Sequence, residues 1–260
     1  MLGDAEIEKA ARAISDAERN AAAMPPLSGG YPGLALADAY RIQERLNSMR
    51  EQQGLAFAGY KIGLTWRTTQ IACGLTEPIC GRILADAVFS NNVTLQAAPY
   101  ISPQIEVELA FVMACDVDAP LRTAGEALAV TDHVMPALEL VDFRMAAPRI
   151  VADTVADNSA FAGVVLSSHR LRPQDVDTRW MGATLARNGV VEVSGVAAMG
   201  MGHPASCVAW LANTLLERGE RLRAGDLIMS GAFAAALPVV TGDRFEADFG
   251  PCGGLEISFQ

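Results

Sequence analysis

The segment Ile105-Glu106-Val107-Glu108-Leu109-Ala110-Phe111-Val112 has the alternating pattern of a β-strand with two different faces. Successive side chains of a strand point to opposite faces, so Glu106 and Glu108 are predicted to share one face, roughly 7 Å apart. Such a pattern usually indicates a half-exposed strand with its glutamates in solvent. Here the strand continues into residues 111–114, which are apolar on both faces. That continuation favours burial of the two carboxylates.

A second apolar run, Val134-Met-Pro-Ala-Leu-Glu-Leu-Val141, contains a single acidic residue, Glu139. Glutamate is almost never fully buried without a partner, and two charges about 7 Å apart repel by about 2 kcal/mol at an effective dielectric near 20. A bound cation would remove both the repulsion and the desolvation penalty. Three carboxylates without cysteine or histidine at metal-binding spacing suit a hard ion, Mg²⁺ or Mn²⁺. The residue pattern alone leaves the metal site and the solvent-facing strand about equally open.

Lysine is rare in this chain, which has 18 arginines but only Lys9 and Lys61. Lys61 lies in the apolar, glycine-containing segment Gly59-Tyr-Lys-Ile-Gly-Leu-Thr65. A lysine at the end of a strand commonly reaches solvent. In these surroundings it is also a candidate for holding an anionic oxyacid or for carrying a proton.

Composition restricts the class of protein and its partners. The chain has 260 residues, is 51% hydrophobic and carries a formal net charge of −10 without any basic run, so neither nucleic acid nor a membrane surface is an expected partner. No apolar run reaches the ~18 residues of a membrane span, and the acidic N-terminus does not resemble a signal peptide. The five scattered cysteines are expected to be reduced, which predicts a cytoplasmic location.

The order of predicted elements divides the chain at residue 56. Helical spacing predicts helices over 4–23 and 37–52, which would form an N-terminal helical lobe of residues 1–56. Residues 57–260 are expected to form a catalytic domain of strands with three interspersed helices, near 68–74, from Thr123 and from His203. Strands are predicted at 56–64, 93–95, 105–114, 137–141, 162–166, 183–188, 226–230 and 255–259. Without regular βαβ alternation this pattern indicates an α+β fold with a largely antiparallel or mixed sheet.

Common catalytic motifs are missing from the sequence. The chain has no G-x-S-x-G elbow, no phosphate-binding G-x-x-x-x-G-K-[ST] loop and no G-x-G-x-x-G fingerprint. Serine hydrolases, nucleotide hydrolases and dinucleotide-binding enzymes are therefore disfavoured. The segment Val155-Ala-Asp157-Asn158-Ser159 is a compact polar cluster that fits either an ordinary Asx turn or part of a site.

Several segments, taken in order along nearly the whole chain, resemble the 2-oxo-4-enoate hydratase and 4-oxalocrotonate decarboxylase family of the fumarylacetoacetase superfamily. They are Tyr60-Lys61-Ile-Gly-Leu-Thr65, Ile105-Glu106-Val-Glu108-Leu-Ala, Pro136-Ala-Leu-Glu139-Leu-Val-Asp, Asp153-Thr-Val-Ala-Asp157-Asn158 and Gly202-His-Pro204 with Val208-Ala-Trp-Leu-Ala-Asn213. The resemblance implies a mixed β-roll of the fumarylacetoacetase C-terminal type with an N-terminal helical lobe. It also implies assembly as a homo-oligomer.

The same resemblance implies a set of site residues. Glu106, Glu108 and Glu139 fall on the family's metal-ligand positions, and Lys61 falls on its active-site lysine. Substrate contacts are implied for four further residues: Ile79, Asp157, Asn158 and Ser159. The substrates would be small dienols or 2-oxo-enoic acids from meta-cleavage of aromatic rings, and a bound Mg²⁺ or Mn²⁺ would stabilise their enolate form.

These implications favour a metal-dependent hydratase that adds water to a 2-hydroxy-2,4-dienoate. The nearest alternative is 4-oxalocrotonate decarboxylase, because Ile79 stands where many hydratases of the family have aspartate and the decarboxylases tend to have an apolar residue. The segment between Arg144 and Asp153 also lacks a longer loop of the dicarboxylate-specific hydratases, which puts a dicarboxylate substrate in doubt.

Two other functions are less favoured. Hydrolysis of acylpyruvates, found elsewhere in the superfamily, uses a histidine on the N-terminal side of the site, and this chain has none before His133. A non-catalytic partner in a complex with a sister hydratase or decarboxylase would be expected to have lost ligands, whereas all three glutamates and Lys61 are present.

Overall fold

A computed structural model describes all 260 residues. Its α-helices are α1 (Asp4–Arg19), α2 (Leu27–Gly30), α3 (Leu36–Gln52), α4 (Arg67–Ala72), α5 (Ala124–Ala129), α6 (Val151–Ala156) and α7 (Pro204–Glu217). Local sequence explains the start of α7: Pro204 occupies the first turn, and Nδ1 of His203 accepts a hydrogen bond from the Ala205 N–H at 3.1 Å.

The strands form two sheets. They are β1 (Phe57–Gly63), β2 (Ile79–Leu84), β3 (Val88–Ser90), β4 (Val93–Leu95), β5 (Pro103–Met113), β6 (Thr131–Asp142), β7 (Phe161–Leu166), β8 (Gly182–Arg187), β9 (Val190–Val196), β10 (Leu227–Met229), β11 (Leu237–Pro238), β12 (Arg244–Asp248) and β13 (Gly254–Phe259). The first sheet has the order β2-β1-β10-β5-β6-β7-β3, with β11 also paired to β5. The second has the order β4-β13-β12-β8-β9. Both sheets mix parallel and antiparallel pairs, as expected for an α+β chain.

The register of the first sheet places the predicted site residues on one face. Glu106 on β5 is directly opposite Glu139 on β6. Lys61 on β1 is opposite Met229 on β10, which in turn is opposite Ala110 on β5. Since paired residues point to the same side and alternate residues share a side, Lys61 and the three glutamates all project from one face. We call this the carboxylate face.

The opposite face of the first sheet forms the main hydrophobic core. Ile105, Val107 and Leu109 are completely buried there, as the alternation in the sequence predicts. They pack in one cluster with apolar side chains of α7 and of the second sheet, including Leu211, Phe245 and Ile257. Burial of this face fixes the strand orientation, because a slip of one residue would move every glutamate into the core.

The N-terminal helices form a second, smaller core. Alanine and isoleucine side chains of α1 and α3 pack with Leu27 of α2. The same cluster includes Ile79, Met145 and three residues of α6, namely Ala152, Val155 and Ala156. The helical lobe therefore packs directly against segments beyond residue 56, and the proposed division into residues 1–56 and 57–260 stays a prediction.

The observed elements differ from the sequence expectations in extent and number. The first helix ends at Arg19 rather than at residue 23, and Ala21 has a left-handed φ of 47°. Strand β6 begins at Thr131, well before the expected residue 137. Seven elements were not expected: β2, β3, β9, β11, β12, α2 and α6. The helix α6 has only six residues, too few for a helical period to stand out in a sequence.

Candidate active site

Three carboxylates meet on the carboxylate face. Glu106, Glu108 and Glu139 each offer an oxygen, and these oxygens lie within 4.8 Å of one another. Glu108 and Glu139 are buried, whereas Glu106 is partly exposed. Alternation along β5 brings the first two together, and the pairing of β5 with β6 adds the third.

The surroundings of these carboxylates disfavour their negative charge. Burial, followed by the charge of Glu139, raises the pKa of Glu106 to about 7. The same effects, with Glu106 adding to them, raise the pKa of Glu108 well above its usual value. Burial also raises the pKa of Glu139, although Lys61 opposes that shift. Such shifts show that little in the protein itself compensates the cluster's charge.

Few hydrogen bonds satisfy the carboxylate oxygens. Oε2 of Glu108 accepts a 2.8 Å hydrogen bond from the Gly231 N–H, while its Oε1 has no hydrogen-bond partner. Both oxygens of Glu139 also lack a hydrogen bond of good geometry. Gly231 is required for this contact because it has a φ of 97°, and a Cβ there would lie 2.5 Å from the Thr65 side chain.

Lys61 supplies the positive charge beside this cluster. Its Nζ lies 3.2 Å from Oε1 of Glu139 and donates a 3.0 Å hydrogen bond to the Ser159 carbonyl oxygen. Burial by itself lowers the pKa of Lys61, but the three carboxylates outweigh burial and raise it overall. The side chain is 4% exposed and is held as a buried ammonium group.

The carbonyl group that receives Lys61 belongs to a left-handed turn. Asn158, Ser159 and Ala160 have φ values of 49°, 52° and 61°. This conformation costs roughly 1–2 kcal/mol for each residue with a Cβ. Hydrogen bonds from the turn to β2 offset that cost: the Asn158 side chain pairs with both the N–H and the carbonyl of Arg82, at 2.8 Å each, and the Ser159 hydroxyl donates to the Cys80 carbonyl.

Asp157, just before this turn, pairs with a buried arginine. Its Oδ2 accepts a hydrogen bond from the Arg144 N–H at 3.0 Å, and its Oδ1 lies 3.5 Å from Nε of Arg144. Burial raises the pKa of Asp157 to about 6 despite this neighbouring guanidinium. Both side chains are 2% exposed, so this pair connects the turn to the end of β6.

A cavity of about 430 Å³ opens onto the carboxylate face. Of the residues that the sequence suggests for the site, Lys61, Ile79, Glu106 and Ser159 line it. Glu108 and Glu139 are not part of its lining. The side chains of Asp157 and Asn158 bond to backbone and to Arg144 and are also outside the lining. Most of the wall is apolar, and its remaining polar side chains are Thr65, Trp66, Thr69, Cys73, Arg149 and Thr154.

Sequence reasoning missed these last six residues, and above all Arg149. It is the only cation besides Lys61 in the cavity wall. It lies in the irregular segment between β6 and α6, where neither periodicity nor a motif singles it out. Only the path of the folded chain brings it to the cavity.

Comparison with known proteins agrees with this geometry. Residues 83–259 match the model of the fumarylacetoacetate (FAA) hydrolase C-terminal family. The chain belongs to this family. It is 38% identical to 2-oxo-hept-4-ene-1,7-dioate hydratase of Escherichia coli, over 96% of each chain. It is 34% identical to 4-oxalocrotonate decarboxylase of Pseudomonas sp. strain CF600, over 89% of this chain and 88% of that one.

A solved structure extends the likeness to the whole fold of this FAA hydrolase family member. The 4-oxalocrotonate decarboxylase from Pseudomonas putida G7, in a complex with magnesium and adipate, superposes with a TM-score of 0.96. It shares 30% identity and covers 100% of this chain and 99% of its own. These matches confirm the expected family and its mixed α+β β-roll with an N-terminal helical lobe. The relatives are hydratases and decarboxylases, and the protein is a lyase.

None of the helices combines the length and the apolar character needed to cross a membrane.

Proposed function

We propose that the protein is a divalent-metal-dependent hydratase that adds water to a 2-hydroxy-2,4-dienoate or 2-oxo-enoic acid and yields a 4-hydroxy-2-oxo acid. The main support is the cluster of Glu106, Glu108 and Glu139 with Lys61 beside an apolar cavity. The hydratase of Escherichia coli, at 38% identity, supports the same assignment.

The three glutamates fit a divalent ion. When ionised, the cluster carries three negative charges against the one positive charge of Lys61. Two units of negative charge are then left over, together with three carboxylate oxygens that lack hydrogen bonds. Oxygen ligands of this kind suit Mg²⁺ or Mn²⁺. The decarboxylase of similar structure is complexed with magnesium, which supports the same class of ion here.

Each group at the site then has a role in the proposed hydration. A bound ion would act as a Lewis acid on the 1-carboxylate and 2-oxygen of the substrate. Lys61 has three N–H groups, of which one is bonded to Ser159 and one faces Glu139, so a third can donate to the substrate or transfer a proton to it. The hydroxyl groups of Thr65, Thr69 and Thr154, which belong to the polar part of a mostly apolar wall, would provide hydrogen-bonding positions for the added water.

The second candidate is 4-oxalocrotonate decarboxylase, which would convert 2-oxohex-3-enedioate to 2-hydroxypenta-2,4-dienoate and CO₂. Ile79 favours it, because this side chain is 3% exposed and presents apolar surface to the cavity where many hydratases have aspartate. The TM-score of 0.96 against a decarboxylase also favours it. Both reactions would use the same three glutamates and Lys61, so the reaction depends on how the distal end of the substrate is held.

A substrate panel distinguishes the two activities. The purified protein is supplied with Mg²⁺ or Mn²⁺ and assayed for loss of dienol absorbance, for the 4-hydroxy product and for CO₂. We expect 2-hydroxypenta-2,4-dienoate or its 1,7-dioate analogue to be hydrated without CO₂ release. Release of CO₂ from 2-oxohex-3-enedioate, with no 4-hydroxy product from either dienoate, would assign the protein as the decarboxylase instead.

We also propose that the chain assembles as a homo-oligomer and that it forms a complex with a sister hydratase or decarboxylase. Sedimentation velocity on the purified protein, alone and mixed with such an enzyme, tests both proposals. A single species at the 27.5 kDa mass of one chain would contradict the first. A cytoplasmic location stays a prediction.

A further inference from the structure

Arg149 is a cation in the cavity wall without an acidic partner. Its guanidinium makes one hydrogen bond, from Nη1 to the Met145 carbonyl at 2.9 Å, and it forms no ion pair. Its Cζ lies 4.0 Å from the centroid of the Phe143 ring. Both Arg149 and Phe143 line the same cavity as Glu106 and Lys61. The unused N–H groups of Arg149 are therefore available to a ligand in that cavity.

The segment that carries Arg149 is anchored at its start. The Met24 N–H donates to the Arg144 carbonyl and the Ala146 N–H donates to the Met24 carbonyl, both at 2.9 Å. The Arg144 side chain donates to the Phe161 carbonyl at 2.6 Å and to the Asp142 carbonyl at 2.7 Å. Stacking on Phe143 then limits the rotamers of Arg149, so its charge is held in place before any ligand binds.

From this arrangement we infer that Arg149 binds a second carboxylate at the distal end of the substrate and makes the enzyme selective for dicarboxylic 2-oxo-enoic acids. The inference rests on the proposed function, which supplies the 2-oxo acid chemistry at the end of the substrate away from Arg149. The three glutamates and their ion would take the 1-carboxylate end, while the planar guanidinium takes the distal carboxylate by paired N–H···O bonds. The missing longer loop after Glu139 does not remove the capacity to bind a dicarboxylate, because the shorter segment places its own cation in the wall.

The same contact bears on the choice between the two lyase reactions. Decarboxylation converts a distal carboxylate into neutral CO₂, so a guanidinium paired with that carboxylate stabilises the charge of the reactant more than that of the product. Hydration leaves the distal charge unchanged. An ion pair between Arg149 and the distal carboxylate therefore favours hydration over loss of CO₂.

The test compares wild type with Arg149→Met and Arg149→Lys on two substrates that differ at the distal end. The substrates are 2-hydroxyhepta-2,4-dienedioate and 2-hydroxypenta-2,4-dienoate, with Mg²⁺ present. Methionine keeps the packing against Phe143 but removes the charge. We expect Arg149→Met to lower the ratio of kcat/KM for the dicarboxylate to kcat/KM for the monocarboxylate by about 10- to 100-fold, and Arg149→Lys to lower it less. Arg172→Met, an exposed arginine paired with Asp175, is the matched control.

A binding measurement separates this inference from the hydratase assignment. Calorimetric titration with adipate and with hexanoate, at saturating Mg²⁺, needs no turnover. Wild type is expected to prefer adipate by at least about tenfold, and Arg149→Met to lose that preference. That result supports the role of Arg149 even if neither dienoate is hydrated. Equal affinities of wild type for the two acids, or a preference that survives in Arg149→Met, would overturn it while leaving any measured hydratase activity intact.

Discussion

At the scale of single residues, Glu108 is a buried carboxylate whose negative charge is poorly compensated by the protein. Its pKa is raised well above the usual value by burial and by the two neighbouring glutamates, against one hydrogen bond from Gly231. Because one of its oxygens has no hydrogen-bond partner, this carboxylate would be stabilised by a bound cation. Its replacement is therefore expected to weaken metal binding.

Glu108→Gln is expected to lower metal-dependent turnover by about 100-fold or more, because Lewis-acid stabilisation is worth several kcal/mol. Addition of Mg²⁺ should raise the melting temperature of the wild type but raise that of the variant much less, since stabilisation by a ligand follows its affinity. Glu217→Gln, on the exposed end of α7, is the control. Full activity of Glu108→Gln would contradict the proposed site.

Lys61→Met separates proton transfer from metal binding. The variant is expected to lose about 10²- to 10⁴-fold in kcat, the range for a positioned acid–base group. Its affinity for Mn²⁺, measured by calorimetry, should be equal to or higher than that of wild type, because the ammonium group beside Glu139 repels a cation. The only other lysine, the exposed Lys9 on α1, gives the matched control Lys9→Met. A large loss of Mn²⁺ affinity in Lys61→Met would show that Lys61 mainly organises the ligands.

At the scale of elements, the left-handed turn of Asn158–Ala160 helps to position Lys61, because the Ser159 carbonyl oxygen accepts a hydrogen bond from its Nζ. The turn lies so close to β2 that a Cβ on Gly81 would be 2.5 Å from the Asn158 carbonyl oxygen. Gly81 is thus required by the close approach, and the Asn158 side chain completes the contact through Arg82. These contacts with β2 stabilise the strained left-handed backbone of the turn in a single conformation.

Asn158→Ala is expected to destabilise the protein by about 2–4 kcal/mol, because two part-buried backbone groups of Arg82 lose their partner. Asn92→Ala is a matched control: Asn92 also has a left-handed φ, 66°, but it is exposed and its side chain makes no hydrogen bond. The control should lose about 1 kcal/mol from backbone strain alone. Urea unfolding measures both changes, and equal losses would mean that the Asn158 side chain contributes nothing to the turn.

At the scale of the whole molecule, an ion pair network connects the helical lobe to the strands. Glu18 of α1 accepts hydrogen bonds from Arg50 of α3 at 2.8 Å and from Arg144 after β6 at 2.9 Å. Burial tends to raise the pKa of Glu18, but the two guanidinium groups outweigh it and lower the pKa from 4.5 to about 2. A carboxyl group whose pKa is lower in the folded than in the unfolded state stabilises the fold when ionised.

This network predicts how stability depends on pH. The contribution of Glu18 should be complete above about pH 4.5 and should be lost as the pH falls towards 2. Urea midpoints of wild type and Glu18→Gln, measured from pH 7 to pH 2.5, should therefore converge at low pH. Glu217→Gln should show no such convergence with wild type. A difference between wild type and Glu18→Gln that is constant across this range would argue against the ion pair.

Much of the site could be read from the sequence because strand alternation is a local property. The two-residue period of an extended backbone placed Glu106 and Glu108 together and put Ile105, Val107 and Leu109 in the core. The rarity of lysine singled out Lys61. Short elements such as α6 were not predicted, since six residues hardly display a helical period.

By itself, then, the sequence determined which faces of its strands are apolar, where its long helices begin, and that buried carboxylates must be compensated. Only the tertiary structure decided that Glu139 is directly opposite Glu106, that Lys61 reaches the cluster across β10, and that Arg149 lines the same cavity. The reason is one of range. Backbone geometry and side-chain polarity act between neighbours in the chain, whereas strand register and the path of a loop are set by packing between residues far apart in the sequence.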